Sequence, residues 1–166
     1  MLNKLVFLWL IFLFAIPIYS QEAQTLVFGN TIEKTISKGE TQKFKFSLKA
    51  NQFARIELRQ NGIVLFMDVL DANQNRLIRA FRPLNHFSRK FTSVLAEQDS
   101  DFSVDVSPIP DEIVQKNQYS IKIIELREAK PEDKSRVTNE KAFMELPQGF
   151  VPLAERNSFF KKFEGI

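Results

Sequence analysis

The chain alternates between apolar and polar positions with a period of two over several short segments. The clearest case is residues 42–48, where Phe44, Phe46 and Leu48 alternate with lysine or serine. This period is typical of a β-strand with one buried side and one solvent-facing side. The same pattern predicts further strands at residues 54–59, 91–95, 102–106 and 119–123.

One segment departs from this alternation. Residues 63–70 form a nearly continuous apolar run that is interrupted only by Asp68. Such a run predicts a central strand that is covered on both faces. A lone buried carboxylate is costly unless it is paired. We therefore expect Asp68 to lie at a strand end or on a face that reaches solvent, because no partner for it is evident in the sequence.

Turn-forming residues separate the predicted strands. Glycine, asparagine, aspartate and proline are concentrated at residues 29–30, 38–40, 61–62, 71–75 and 108–110. Many short strands with turns between them, and no helix-length periodic segment among them, favour an antiparallel arrangement over a parallel α/β sheet. We predict a mainly β fold, an antiparallel jelly-roll-like β-sandwich over residues 21–129, followed by a C-terminal α-helical hairpin.

The pattern becomes helical at Lys130. Pro131 suits the first turn of a helix, and the two acidic residues after it suit the positive end of the helix dipole. Helical spacing continues to Leu146, and a second helix is predicted from Pro152. Residues 130–166 therefore predict a hairpin about as long as one tetratricopeptide unit of roughly 34 residues.

This hairpin carries apolar residues close to the C-terminus. One helical repeat unit cannot bury its own apolar face. We expect the exposed positions to pack on the sandwich, to meet a partner chain, or to face a continuation of the natural protein. The residues predicted to contact a protein partner are Phe159, Phe160 and Phe163.

The first twenty residues have the layout of a cleavable secretory signal. Lys4 is their only charge, Leu5 to Ile18 is almost wholly apolar, and Ser20 offers a small residue before the cleavage point. The apolar run of about 14 residues is shorter than the roughly 20 residues of a spanning helix. We predict export to the periplasm or beyond and no stable membrane span after cleavage. An uncleaved anchor is the competing interpretation.

Composition narrows the function classes. The chain has no cysteine, which excludes disulfides, zinc thiolate sites, thiol catalysis and a lipid anchor on cysteine. Export without cysteine favours a bacterial protein. Removal of Lys4 with the signal leaves 22 basic and 20 acidic residues, a net charge of +2, which predicts no nucleic-acid partner. Tyr119 is the one tyrosine after the signal and Trp9 lies within it, so platforms for carbohydrate are few.

Candidate catalytic and metal-binding residues are weakly supported. His86 is the only histidine, and no Gly-x-Ser-x-Gly segment presents a serine to it. Residues 71–75 place oxygen ligands at alternate positions, but Arg76 and Arg82 occupy the places where a calcium loop has Gly and Glu. The sequence therefore predicts a turn at residues 71–75 and no catalytic residue, cofactor or metal.

Basic residues are concentrated in one stretch. They are Arg76, Arg79, Arg82, Arg89 and Lys90. Such a cluster forms either a basic patch that meets an acidic polymer or membrane head groups, or an ordinary charged strand edge.

Five stretches of this pattern resemble bacterial pre-peptidase C-terminal-like β-sandwich domains. They are residues 39–46, residues 50–58, residues 62–75, and the closing pair 100–106 and 118–123. The order of these segments, and the helical tail expected at Arg127-Glu128-Ala129, most resemble one subgroup of the family. In that subgroup the sandwich lies at the N-terminus of exported proteins that continue into tetratricopeptide repeats and a caspase-like CHAT domain. Asn51 and Asn75 depart from the glycine that the family prefers. The resemblance implies a stand-alone sandwich or the front piece of a larger protein.

We predict from these features an exported, non-catalytic accessory module that acts in protein–protein interaction or as a structural spacer. The alternative is a module that binds carbohydrate or another cell-surface polymer. A third class is an enzyme with an unfamiliar site, such as a carboxylate pair formed by Asp68 and Asp105.

Overall fold

A computed structural model describes residues 22–81, 87–110 and 117–145. The signal segment, His86 and the three C-terminal phenylalanines lie outside these ranges, as does the second predicted helix. Within them the chain forms nine strands and one helix. These are β1 (Gln24–Thr25), β2 (Ile32–Thr35), β3 (Gln42–Leu48), β4 (Gln52–Asn61), β5 (Leu65–Leu70), β6 (Arg76–Ala80), β7 (Arg89–Ala96), β8 (Ser100–Pro108), β9 (Gln118–Glu128) and α1 (Pro131–Glu145).

The strands form two sheets. Sheet A has the order β1-β3-β8-β5-β6, and sheet B has the order β2-β9-β4-β7. The pairs β2–β9, β3–β8, β4–β7 and β5–β6 are nested like the two arms of one long hairpin that has been rolled up. This nesting is the jelly-roll arrangement and confirms the predicted fold class. Among the described residues, β1 departs from antiparallel pairing by pairing in parallel with β3, and Phe28 forms an isolated parallel bridge with Ile123.

The tip of the rolled hairpin is the turn between β5 and β6. The Asp71 carboxylate accepts hydrogen bonds from the main-chain N–H groups of Asn73 (2.9 Å) and Asn75 (2.8 Å). The Asp71 N–H donates to the Asn75 carbonyl at 2.9 Å, and Gln74 adopts a positive φ of 64°. Aspartate and asparagine stabilise turns in this way. The predicted turn is confirmed, and Asp71 has a structural role in it.

The core lies between the two sheets. The alternation in β3 is confirmed, because Phe44, Phe46 and Leu48 are buried while the residues between them are exposed. Residues of both sheets fill the rest of the core, and several are fully buried, such as Leu58, Val104 and Ile121. A fully buried side chain of this size contributes about 1.5–3 kcal/mol. In a chain without cysteine, this burial replaces the covalent cross-links of many small exported domains.

The apolar run at residues 63–70 was predicted to be covered on both faces, but only one face of it is fully buried. Strand β5 begins at Leu65, and its inward residues are fully buried. Phe66 and Leu70 are partly exposed, because they face outward from sheet A together with Asp68. The outer face of β5 is therefore not covered by another layer.

Strand β9 contains one extra residue that was not predicted. Ile123 pairs with Ile56 and Glu125 pairs with Arg55, so Ile124 has no partner on β4. This bulge shifts the alternation by one position and keeps Glu125 and Arg127 on the outer face of sheet B. Strand β9 continues to Glu128, so Arg127 and Glu128 belong to the sheet. The expectation that they begin a helical tail is wrong.

Helix α1 closes one side of the sandwich. It packs against β7 and β6, the neighbouring edge strands of the two sheets. Met144 of α1 and Leu77 of β6 pack against the core at this side. A helix over such edges shields their unpaired main-chain groups from pairing with other strands. Among the described residues, no helix is both long enough and apolar enough to cross a membrane.

Candidate binding groove on the outer face of sheet B

The outer face of sheet B collects charged residues along β4. Because side chains alternate along a strand, Arg55, Glu57, Arg59 and Asn61 point outward while the residues between them enter the core. Helix α1 lies near the Arg55 end of this row. The Asn61 end is open to solvent and borders a groove.

An ion pair between Arg127 of β9 and Asp133 of α1 attaches the helix to this face. The Arg127 guanidinium donates to both oxygens of Asp133, with Nη1–Oδ2 and Nη2–Oδ1 distances of 2.5 and 2.9 Å. The main-chain N–H of Lys130 also donates to this carboxylate, at 2.7 Å, and Arg127 lies 4.5 Å above the ring of Phe53. The hydrogen bonds from Arg127 lower the pKa of Asp133 to about 2. This arrangement ties the first turn of α1 to the end of β9.

Glu140 makes a second attachment of α1 to sheet B. Its Oε1 accepts a hydrogen bond from the Ser93 hydroxyl at 3.1 Å. Its Oε2 is buried without a hydrogen-bond partner, and so is the Nε of Arg55. Burial raises the pKa of Glu140 despite the nearby positive charges of Arg55 and Arg136. The helix is thus held here at an electrostatic cost.

Glu57 lies at the middle of the row. It is buried and is flanked by Arg89 of β7 at 3.4 Å and Lys122 of β9 at 3.5 Å. The Glu57 carboxylate therefore forms ion pairs with two cations, one on each neighbouring strand.

The groove lies beyond Glu57 and has a volume of about 540 Å³. Strands β2, β4 and β9 contribute its walls. The polar residues along it include Glu33, Lys34, Arg59, Asn61, Gln118 and Ser120. Its volume is in the range of ligand-binding clefts, but its lining is more polar than is usual for small-molecule sites.

Arg59 is the most unusual residue of this groove. It lies directly opposite Arg89 on β7 and Ser120 on β9. Within the described part of the chain its side chain makes no hydrogen bond and no ion pair, and it is exposed. Like charges directly opposite each other on neighbouring strands are destabilising. The fold therefore holds two arginines side by side, and of these two only Arg89 is in an ion pair with Glu57.

Tyr119 forms part of the groove floor. It is only 3% exposed, and its hydroxyl donates to Oε1 of Gln42. The Gln42 side-chain amide in turn donates to the Thr35 carbonyl at 2.7 Å and to Glu40 Oε1 at 2.6 Å. Burial raises the pKa of Tyr119 above its usual range. Tyr119 thus fixes the loop that precedes β3 and offers no exposed ring for stacking.

The outer face of sheet A carries a row of four charges across four strands. In the strand register, Lys43 faces Asp105, Asp105 faces Asp68, and Asp68 faces Arg79. Lys43 Nζ lies 2.7 Å from Asp105 Oδ2, and Arg79 donates to both oxygens of Asp68 at 2.7 and 2.6 Å. The structure therefore places the suggested carboxylate pair on adjacent strands. It also supplies the partner of Asp68, Arg79, which the sequence reasoning missed.

The basic stretch does not form one patch among the described residues. Arg76 and Arg79 lie on sheet A near Asp68, with Arg76 at 3.9 Å from it. Arg89 and Lys90 lie on sheet B, and Arg82 is outside the described residues. Lys90 is 1% exposed, points inward and donates to the Phe81 carbonyl. Burial lowers the pKa of Lys90 to about 8.

The described residues contain no group of three or more His, Cys, Asp or Glu side chains close enough to hold a metal ion. The predicted partner contacts at Phe159, Phe160 and Phe163 lie outside the residues that the structure describes. Sequence reasoning also missed the groove. Arg59 and Arg89 stand in two segments that were each predicted to lie in or beside a strand, but the sequence does not show that the two residues are cross-strand neighbours.

The architecture defines a jelly-roll β-sandwich with one helix packed on its side. A solved structure with a similar fold is the pre-peptidase C-terminal domain of a collagenase from Bacillus anthracis. It has a TM-score of 0.51 and 14% identity, and the match covers 62% of this chain and 95% of that one. A second is PliG of Aeromonas hydrophila, a periplasmic inhibitor of g-type lysozyme, with a TM-score of 0.45, 9% identity and coverage of 61% and 95%.

At these identities the likeness concerns the fold alone. It supports a domain like the pre-peptidase C-terminal sandwiches. No family model matches the sequence, and no curated protein matches it.

Proposed function

We propose that this chain is an exported, non-catalytic binding module that contacts a protein partner through the groove on sheet B. The observation that carries the proposal is the exposed Arg59, which lies opposite Arg89 and has no partner among the described residues. Exposed polar groups that the fold leaves unpaired at an open groove are available to a ligand.

The charged outer face of sheet A has fewer unpaired groups that could bind a ligand. On sheet A each carboxylate of the Asp68–Asp105 pair is already held by a cation, Arg79 or Lys43. An acid or base in catalysis must exchange a proton with substrate, and a carboxylate in a bidentate arginine pair is poorly placed for that. This arrangement supports a structural role for the row and favours binding over catalysis for the module.

The carbohydrate alternative has less support. Carbohydrate sites commonly use exposed aromatic rings, whereas Tyr119 at this groove is buried and engaged with Gln42. The mixed signs of Glu33, Lys34 and Arg59 along the groove suit a protein surface better, because such surfaces present both charges.

The domain organisation belongs to the same proposal. Residues 1–20 act as a secretory signal, residues 21–129 form the sandwich, and residues 130–166 form a helical hairpin that resembles a tetratricopeptide unit, in which Phe159, Phe160 and Phe163 make a further partner contact. The attachment of α1 to sheet B supports the first helix of this hairpin. N-terminal sequencing of exported protein tests the signal, since intact Met1 in the membrane fraction would contradict cleavage.

Site-directed photo-crosslinking in cells tests the groove. A photo-reactive residue replaces Asn61 at the groove or, as the matched control, Lys45 on the exposed face of sheet A. We expect a discrete adduct from position 61 that is lost when Arg59→Glu is added, and none from position 45. The same adducts from both positions, or none from position 61, would contradict the proposal.

A further inference from the structure

Arg59 and Arg89 form a cationic pair in which, among the described residues, only Arg89 has an acidic partner, Glu57. They are direct cross-strand partners on β4 and β7, so their side chains leave sheet B on the same side. Glu57 is shared between Arg89 and Lys122, at 3.4 and 3.5 Å. The single negative charge of Glu57 does not balance the two positive charges that it contacts. Among the described residues Glu57 makes no ion pair with Arg59.

The groups around Arg59 suit an extended chain. Ser120 lies opposite Arg59 on the other side, on β9, and Asn61 and Gln118 lie one further pair along the groove. The Asn61 amide donates to Gln118 Oε1 at 3.3 Å, which leaves amide donors and acceptors facing the groove. A hydroxyl and two amides next to guanidinium groups can bind the main chain of a peptide while arginine binds its side chains.

We infer that Arg59, assisted by Arg89, binds the carboxylate of an acidic peptide segment of the partner. This inference rests on the proposed function, that the groove is the partner-binding surface. A planar guanidinium donates two parallel hydrogen bonds to a carboxylate, which gives it both strength and direction. A carboxylate at this position removes the repulsion between the two arginines at the same time.

The lining favours a peptide over a uniformly charged polymer. Glu33 lies on the wall of the groove, where it repels a polymer that carries a negative charge on every unit. A peptide can place its carboxylates beside Arg59 and a neutral or basic residue beside Glu33. The small net charge of +2 after the signal also gives a long polyanion little general attraction.

Fluorescence-anisotropy titration with a labelled hexaglutamate peptide tests the inference at low ionic strength. We expect saturable binding that weakens by about tenfold in Arg59→Gln, with partial recovery in Arg59→Lys. Lys45→Gln removes the same charge from an exposed position on sheet A and is the matched control, for which we expect no change. The uncharged hexaglutamine peptide should not bind. Arg59 is exposed, so its variants are expected to fold.

Each other outcome overturns the inference. Equal losses in Arg59→Gln and Lys45→Gln would mean general charge attraction, and the absence of binding would mean that carboxylates are not the ligand. Tighter binding of polygalacturonate than of hexaglutamate, with the same dependence on Arg59, would assign the groove to polysaccharide. If the photo-adduct from position 61 still forms, the groove binds a partner by other chemistry and the proposed function survives.

Discussion

Asp68 of β5 and Asp105 of β8 lie directly opposite each other on the outer face of sheet A. Two facing carboxylates repel, and the sheet compensates by placing Arg79 beside the first and Lys43 beside the second. The resulting row of positive, negative, negative and positive charges spans β3, β8, β5 and β6. Its ion pairs join β3 to β8 and β6 to β5 in addition to their main-chain hydrogen bonds, whereas β5 and β8 meet at the two carboxylates.

The two carboxylates of this row should respond differently to neutralisation. Asp68 is nearly buried and holds Arg79 with two hydrogen bonds, so Asp68→Asn should lower the free energy of unfolding by about 1–2 kcal/mol. Asp105→Asn loses a pair with the half-exposed Lys43 but removes the repulsion, so its effect should stay within about 0.5 kcal/mol. Urea unfolding of both variants measures this, and a larger loss for Asp105→Asn would contradict the account.

The ion pair between Arg127 and Asp133 should control the docking of α1. In Asp133→Asn we expect amide hydrogen exchange to become faster in α1 while the exchange rates of β3 and β8 stay unchanged. The lowered pKa of Asp133 means that its stabilising effect is present above the ordinary aspartate value of 3.8. It is lost as the pH falls toward about 2. Exchange in α1 that is unaffected by the substitution would show that packing alone holds the helix.

Glu140 should act in the opposite direction. Its pKa is raised by burial, so α1 is held more firmly when this carboxyl is protonated and less firmly as the pH rises through its titration. Glu140→Gln keeps an acceptor for Ser93 and removes the charge, so hydrogen exchange in α1 should slow at neutral pH. Glu132→Gln, at an exposed position in the first turn of the same helix, is the control, and it should not slow exchange because it removes a charge that suits the helix dipole. Faster exchange in Glu140→Gln would mean that attraction to Arg55 outweighs the burial cost.

Lys90 should make stability depend on pH in the alkaline range. Its pKa is about 8 in the fold and 10.5 in an unfolded chain, so the unfolded state binds more protons between these values. The free energy of unfolding should therefore rise from pH 8 to about 9.5, below the range where the ordinary tyrosine titration of unfolded Tyr119 begins to oppose it. Lys90→Met should remove this rise, and a parallel pH profile in the variant would contradict the assignment to Lys90.

Local features of this fold were readable from the sequence because they depend on neighbouring residues. The alternation around Phe44 and Phe46 predicted β3, and the Asp71 turn was predicted from turn chemistry. Features that depend on strand register were missed. Arg79 is the partner of Asp68 through a pairing across the hairpin tip, and the unpaired Ile124 decides that Arg127 faces α1. Asp133 was predicted to suit the helix dipole, yet its main contact is Arg127 of the sheet.

The candidate groove could not be predicted for the same reason. Arg59 and Arg89 come from separate segments, and neither carries a motif. Their pairing follows from the antiparallel register of β4 and β7, which the rolled hairpin sets through its nested pairs. Periodicity gives the face on which each residue lies, but not the residue opposite it.

The fold holds Arg59 opposite Arg89 at a cost to stability, and we propose that this placement serves binding. The most direct measurement is the free energy of unfolding of Arg59→Glu at low ionic strength. We expect an increase of about 0.5–1 kcal/mol, because a glutamate at this position attracts Arg89 where arginine repels it. A decrease in the free energy of unfolding would show the opposite, that Arg59 stabilises the fold.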